Sequence, residues 1–418
     1  MIMSANKSPQ KLYEEREKRF NDAIALKKPD RVPILALFSL MTAKHAGFSY
    51  EEDMSQLEKH LEGNFKTNLD FQPDLASPPL FFGPILEALD FKQLKWPGHG
   101  VASDASFQFV EGEYMKAEEY DAFLFDPSDF MVRKYWPRVM GKLKVFELLP
   151  PLNQIISFYM GVNIGFMAFG FPEAAEALRA LASAGQSTLA ALTAGMAHAQ
   201  RLREAGFPLY FTACTQAPFD TLGDYFRGTK GIMIDMHRKP DKVTQACEKL
   251  LPIMFDYAVA AARISGNARV LIPLHKGAES FMSLEQYKKF YWPTFRELMI
   301  GLINEGLVPV VMFQGGYTSR LDVIKDIPAG KACYWLESVD LDKAREALGG
   351  RVCIKGLLPM SLLVAGNVDE VRSYCKKLID TLGKDGGYIM GPAAGSLEDA
   401  NPENVRAMFE FTREYGVY

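Results

Sequence analysis

The chain has 418 residues, 48% of them hydrophobic, with a formal net charge of −4 and a pI near 6.0. That is ample for a large core, and α/β barrels often run to this length as one domain. The absence of a lysine and arginine block argues against nucleic acid as a partner, and the absence of an 18-residue apolar run argues against a membrane span. The charged opening, MIMSANKSPQKLYEEREKRF, has no apolar stretch of the secretory kind. The five cysteines (Cys214, Cys247, Cys333, Cys353 and Cys375) are odd in number and lack CxxC spacing, which points to reduced thiols in a cytoplasm.

In chain order, residues 1–29 read as an N-terminal helical arm outside the main body at 30–418. Val32–Leu37 is the first strand candidate. Residues 71–150 are rich in Pro, Gly and Phe, and they read as a second strand followed by a long excursion. The excursion includes a β-hairpin over Phe107–Tyr114 and a lid or oligomer surface. Pro172–Ala205 is Ala-rich and reads as one or two long helices, with Gly185 as the candidate break. Short apolar runs then alternate with helical patterns: Pro208–Cys214, Ala268–Leu274, Val308–Gln314, Ala332–Ser338, Arg351–Leu357 and Gly387–Met390.

Helix ends are legible between these runs. Ser283-Leu-Glu-Gln286 is a capping box, and its helix should run to about Asn304, with Gly306 as the stop. Asn367-Val-Asp-Glu370 starts a helix ending near Leu382-Gly383. Asn401-Pro402-Glu403 supplies an N-cap, a proline at the first helical position and an acid in the first turn. Repeated strand–helix units imply a parallel sheet, and with this many units the expected fold is a (β/α)8 TIM-like barrel.

Several segments resemble the uroporphyrinogen decarboxylase superfamily. Lys28-Pro-Asp-Arg-Val-Pro33 is similar to the family's PDRVPV, Ala217-Pro-Phe219 to its GPF turn, and Phe281–Pro293 to its LSPE helix. Trp335–Gly349 resembles the DW.VDL segment, Arg351-Val-Cys-Ile-Lys-Gly356 the RV.LQG segment, and Asn401-Pro-Glu-Asn404-Val the closing PPENV. The departures bear on function. The family's RQAGRY signature, whose arginines pair with substrate carboxylates, is replaced by Leu35–His45 without an arginine. The catalytic aspartate of FSDI is missing from Phe81-Phe-Gly-Pro-Ile85, and the late GHGI histidine from Pro392-Ala-Ala-Gly395. A polycarboxylate substrate needs several cationic partners, so decarboxylation of uroporphyrinogen is not expected. The resemblance also extends to corrinoid-dependent methyltransferases, some of which bind zinc through a His-x-Cys pair after a barrel strand. Met312-Phe-Gln314-Gly-Gly supplies neither ligand, so no metal is assigned.

Barrel chemistry sits at the C-terminal ends of the strands. His275-Lys276-Gly-Ala-Glu279 follows one strand and is the densest titratable cluster, with His275 as general acid or base and Lys276 or Glu279 tuning it; the plain alternative is a polar loop. Gln314, before Gly315-Gly316-Tyr317-Thr-Ser-Arg320, can orient a substrate atom, Tyr317 can donate a proton, and Arg320 can hold a carboxylate. An ordinary glycine turn would look the same. Glu337 ends the next strand as a partly desolvated acid or as an ion-pair partner of Lys355. Gln216 and His45 follow other strands and complete the candidate set of substrate contacts.

The leading expectation is a methyltransferase component that moves a methyl group from a small methoxylated, aromatic compound to a separate corrinoid protein. His275, Glu337 and Tyr317 would be the proton donors. The chain has no segment for a corrinoid domain, so that cofactor is expected on a partner and none tightly bound here. A homodimer follows from the resemblance alone. The competing expectations are a lyase or decarboxylase on a smaller carboxylated substrate, and a non-catalytic ligand-binding barrel. A zinc site made of His275, Glu279 and Glu337 is a further alternative.

Overall fold

The structure is a computed structural model that describes residues 7–80, 83–152 and 166–418. Six parallel strands pair in sequence order: Ala213–Cys214, Arg269–Leu274, Val308–Gly316, Cys333–Ser338, Cys353–Gly356 and Tyr388–Ile389. Two less regular segments complete the ring. Segment 33–35 pairs with the last strand, Leu35 N donating to Met390 O (2.9 Å) and Met390 N to Pro33 O (2.8 Å). Segment 74–76 lies on its other side, with Asp74 N donating to Ile34 O (3.0 Å). Ala76 N donates to Pro208 O (2.7 Å), and Ala76 O accepts from Tyr210 N (2.9 Å) beside the third strand. The eight-membered (β/α) barrel is therefore closed.

The first two segments make too few ladder bonds to fix their own register, and a buried carboxylate supplements them. Asp74, 1% exposed, accepts from Arg19 Nη1 (2.5 Å), from Arg31 Nη2 (2.7 Å) and from the backbone N of Ile34 (2.7 Å). Burial alone would raise its pKa. Arg31 and Arg19 outweigh that and hold it far below the usual carboxylate range. Arg19 belongs to the helix Pro9–Ile24, which Ser8 caps. That helix lies against the barrel floor: Glu17 pairs with Arg269 at the start of the fourth strand (2.9 Å), Arg16 donates to Gly206 O (2.6 Å), and Phe20 is buried with Tyr210.

The helices follow their sequence signals, with informative exceptions. All three N-terminal cap signals are realised, on Ser283, Asn367 and Asn401. The first two helices contain π-turns, at Tyr287–Tyr291 and Ile379–Gly383. Pro172–Glu204 is one unbroken helix. Gly185 does not interrupt it, because the alanines around it offset a cost of about 1 kcal/mol. The expected hairpin within Phe107–Tyr114 does not form. Gln108–Phe109 instead pairs antiparallel with Lys95 and Leu94, and the chain then turns to the barrel, where Met115 N donates to Phe226 O (2.7 Å). Phe81 and Phe82 of the segment compared with FSDI lie outside the described residues. Among the described residues no helix is long and apolar enough to cross a membrane.

Side chains fill the barrel interior. Trp335 is fully buried, its Nε1 donating to Pro392 O (2.8 Å). Lys355 is level with Trp335 in the strand register and equally buried. Its Nζ lies 3.2 Å from the centre of the Trp335 ring and has no hydrogen-bond partner. The expected Glu337–Lys355 ion pair is absent. Glu337 stands two residues nearer the mouth, about 6–7 Å along the strand, and its carboxylate accepts from Gly315 N instead.

Two stability effects follow. Asp74→Ala leaves the buried Arg19 and the half-buried Arg31 without their shared acceptor and should cost about 3–5 kcal/mol, read as a lowered urea midpoint. Lys355→Met removes a buried polar group that has no partner and should raise stability by about 1–3 kcal/mol. The check is calorimetry of the purified variant; a lower Tm would refute it.

Candidate active site

Strand register brings three expected residues to one level. Leu274 pairs with Phe313, and Phe313 with Leu336. The next residue on each neighbouring strand is therefore His275, Gln314 or Glu337, at the C-terminal mouth. Pairing then shifts and resumes at Gly316 with Ser338, so residues 314 and 315 stand opposite Glu337 alone. Such a bulge bends the strand and re-aims its side chains. It needs Gly315, whose φ is +88° and where a Cβ would come 2.7 Å from the Ala278 Cβ. Gly315 N donates to Glu337 Oε2 (2.7 Å), which fixes that carboxylate at the exposed strand end.

His275 is supported by residues that the sequence reading did not single out. Its Nδ1 is 2.6 Å from Asp224 Oδ2, and its backbone N donates to Asp220 Oδ2 (3.0 Å). Asp220 Oδ1 accepts from Lys276 N (2.9 Å), and Oδ2 also from the Tyr291 hydroxyl (2.7 Å). Asp220 and Asp224 lie four residues apart after the third strand, across the junction of a short α-helix, Pro218–Thr221, with a π-turn, Leu222–Arg227. π-Turns recur at functional sites. The acidic pair four residues apart, just past a barrel strand, was the available signal. Nothing in the sequence marked Tyr291 as its partner.

The two carboxylates differ in charge preference. Burial, then the Asp224 charge, raises Asp220 to about 6. Burial would also raise Asp224, but His275 and Lys276 outweigh it, and its pKa lies below the ordinary value. For His275 burial opposes the charged form, while the Asp224 hydrogen bond and the Asp220 and Asp224 charges prevail and raise it. The imidazolium is thus stabilised at the mouth, where the side chain is 38% exposed. No described residue hydrogen-bonds its Nε2.

Other expected residues serve the scaffold. Lys276 is buried, paired with Asp224 (3.0 Å) and Glu111 (3.1 Å) and donating to Thr229 Oγ1 (2.8 Å). Gly223 makes room for it, since a Cβ there would lie 2.6 Å from the Lys276 Cδ. Gln216 reaches the same carboxylate, its Nε2 3.5 Å from Asp224 Oδ2. Glu279 accepts from Ser319 N and orders the glycine turn. Arg320 is buried and donates to the carbonyls of Ala278 (3.1 Å) and Met282 (2.5 Å), so its guanidinium braces the loop and is not offered to a ligand. Tyr317 is fully buried behind Gly277, where a Cβ would come 2.5 Å from its hydroxyl, and it does not open to the mouth. His45 sits on the helix Met41–Ala46, bonded to Asp70 (2.7 Å) and against Phe71, so its ring is engaged within the scaffold. His275, Glu279 and Glu337 are each engaged separately, and no group of three His, Cys, Asp or Glu side chains among the described residues is placed to hold a metal ion.

Because His275 has its pKa raised on folding, it contributes stability that is complete below the unfolded value and is lost as pH rises through the folded one. Asp224→Asn should therefore lower the His275 titration midpoint and flatten this pH dependence. Histidine NMR titration of the variant checks it, and an unchanged midpoint would refute the coupling.

A sequence model described as uroporphyrinogen decarboxylase (URO-D) matches residues 157–415. Uroporphyrinogen decarboxylase of Chlorobium phaeobacteroides is 25% identical over 187 residues, covering 44% of this chain and 52% of that one. The Francisella philomiragia enzyme is 26% identical over 185 residues, covering 44% and 52%. The chain thus spans about half the length of the curated relatives it matches. A solved methyltransferase from Methanosarcina mazei superposes with a TM-score of 0.62 at 14% identity, over 96% of this chain and 98% of that chain, a likeness of fold. With more than half of its length matched by that family's model, and its barrel closed as described, the chain belongs to the uroporphyrinogen decarboxylase family, as a divergent member.

Proposed function

We propose that the protein is a methyltransferase component that takes a methyl group from a small methoxylated, aromatic compound and passes it to a corrinoid carried by a separate protein. The observation that carries this reading is the His275–Asp224 pair at an exposed mouth. Breaking a methyl–oxygen bond leaves an alkoxide or phenolate, and that oxygen needs a proton in the transition state. An imidazolium held on Nδ1 by a carboxylate, with Nε2 turned to the mouth, is suited to supply it. Asp220 fixes the backbone on which His275 sits. Gln314 and Glu337, level with His275 on the next two strands, are placed to orient the substrate.

The bound corrinoid would supply the low-valent metal that accepts the methyl group. The mouth fits an acceptor presented from outside, because His275 and Glu337 both end their strands exposed. Zinc does not fit, since Gln314-Gly315-Gly316 occupies the strand end where a His-x-Cys pair would stand. The fold likeness to the Methanosarcina mazei methyltransferase supports the class of reaction. The lyase reading loses ground on one observation: Lys276 and Arg320, the cations available to hold a carboxylate, are both buried and engaged within the protein.

The test is a methyl-transfer screen with reduced corrinoid as acceptor, using methoxylated aromatics, methanol and methylamines, with and without zinc. One donor should give methylated corrinoid, and His275→Ala should slow transfer about 10²–10⁴-fold. The rate should fall as pH rises through the raised His275 value. No transfer across the whole panel would overturn the proposal.

A further inference from the structure

The helix Pro172–Glu204 buries only part of its surface. Ala177, Ala184, His198 and Leu202 turn toward the body of the protein. Another side, in solvent, carries Phe171, Leu178, Leu189, Leu192 and Met196, which are 43–64% exposed. These five belong to one series. Starting at Phe171, positions alternately four and three residues apart, through Ala175, Ala182, Gly185 and Ala199, are all apolar, and none is buried. A seam that repeats about every 3.5 residues over four heptads is the pattern by which one helix packs along another. No Asp, Glu, Lys or Arg occurs between Arg179 and Arg201. The flanking cations that would hold such a helix on a lipid surface are therefore missing from this stretch.

We propose that this seam pairs with the same helix of a second copy of the chain, antiparallel, about a two-fold axis at the level of Ser187. Side-chain sizes select that axis. It sets Gly185 opposite Leu189 and Ala182 opposite Leu192, so in the central layers each leucine meets a small residue. Parallel pairing would set Gly185 on Gly185 and Leu189 on Leu189, leaving a void beside a crowded layer. The charges fit the same axis. It brings Glu173 level with Arg201, and Phe171 level with Arg203, acid against base and ring against guanidinium. Arg201 also pairs with Glu62 of its own chain (2.8 Å), so these exposed ends set direction more than affinity.

The area points to an identical helix as the occupant. From Phe171 to Ala199 the seam is about 42 Å long, and a helix is about 10–12 Å wide. Covering it removes roughly 420–500 Å² per copy, close to the total of about 1,000 Å² that a specific interface needs. That total is reached only if the whole length is covered, which a partner helix of the same length and period does.

The test measures the mass of the full chain by light scattering over a concentration series up to about 100 μM. The mass should approach twice 46.8 kDa. Leu189→Glu combined with Leu192→Glu should weaken association about a hundredfold, with the far-UV circular dichroism unchanged. Direction is read by cross-linking with a short bismaleimide and peptide mass spectrometry. Gln186→Cys, beside the axis, should be joined to the same position of the second copy. Arg203→Cys should not, because the two positions would lie about 48 Å apart along the seam. A monomer across the whole series, or a dimer that survives the double substitution, would overturn the proposal. Self-linking of Arg203→Cys, or none of Gln186→Cys, would overturn it as well.

Discussion

Closure of this barrel rests on the Asp74 carboxylate. Strands three to eight hold each other by ladder bonds, but the first two segments contribute only isolated bridges. Asp74 compensates by binding a backbone N of the first segment, the Arg31 guanidinium beside it, and Arg19 from the N-terminal helix. One buried charge thereby joins the floor helix, the first segment and the second. The ion pairs are expensive to desolvate, and they persist because each remaining lone pair of the carboxylate has a donor. A closed ring in turn fixes the strand levels, and the strand levels place His275, Gln314 and Glu337 side by side.

The mouth applies the same logic to a different end. Asp220 is saturated by backbone and tyrosine donors, so it orders the loop at 275–276. Asp224, less enclosed, pairs with His275 and Lys276. Two carboxylates with divergent pKa values next to one histidine are the arrangement expected where a proton is handled. Lys276 and Arg320 hold this assembly rigid from behind, and the glycine bulge at Gly315 brings Glu337 to the same rim.

Much of this was legible in the chain. Short, mostly apolar runs marked seven of the barrel segments, and Ser283, Asn367 and Asn401 marked three helix starts within a residue. His275, Gln314 and Glu337 could be named as strand-end residues because strand ends are local features. Less was legible where partners lie far apart in sequence. Asp220 and Tyr291 are 71 residues apart, and no local pattern joins them. Tyr317 and Arg320 looked available because polar residues after glycines usually face solvent, yet the turn folds them back under the 277–282 loop. The hairpin reading of 107–114 failed because the strand at 94–97 is a competing partner.

The sequence by itself determined the alternation of buried strands and amphipathic helices, hence the barrel, and the residue types at its rim. Those follow from periodicity and capping, which act over a few residues. Only the tertiary structure decided which rim groups remain open to a ligand. Burial and pairing depend on the whole ring: the same fold that leaves His275 Nε2 free engages Lys276 and Arg320, and it encloses Lys355 without a partner. A charge is a property of a residue, whereas its availability is a property of its neighbours, and the closed barrel chooses those.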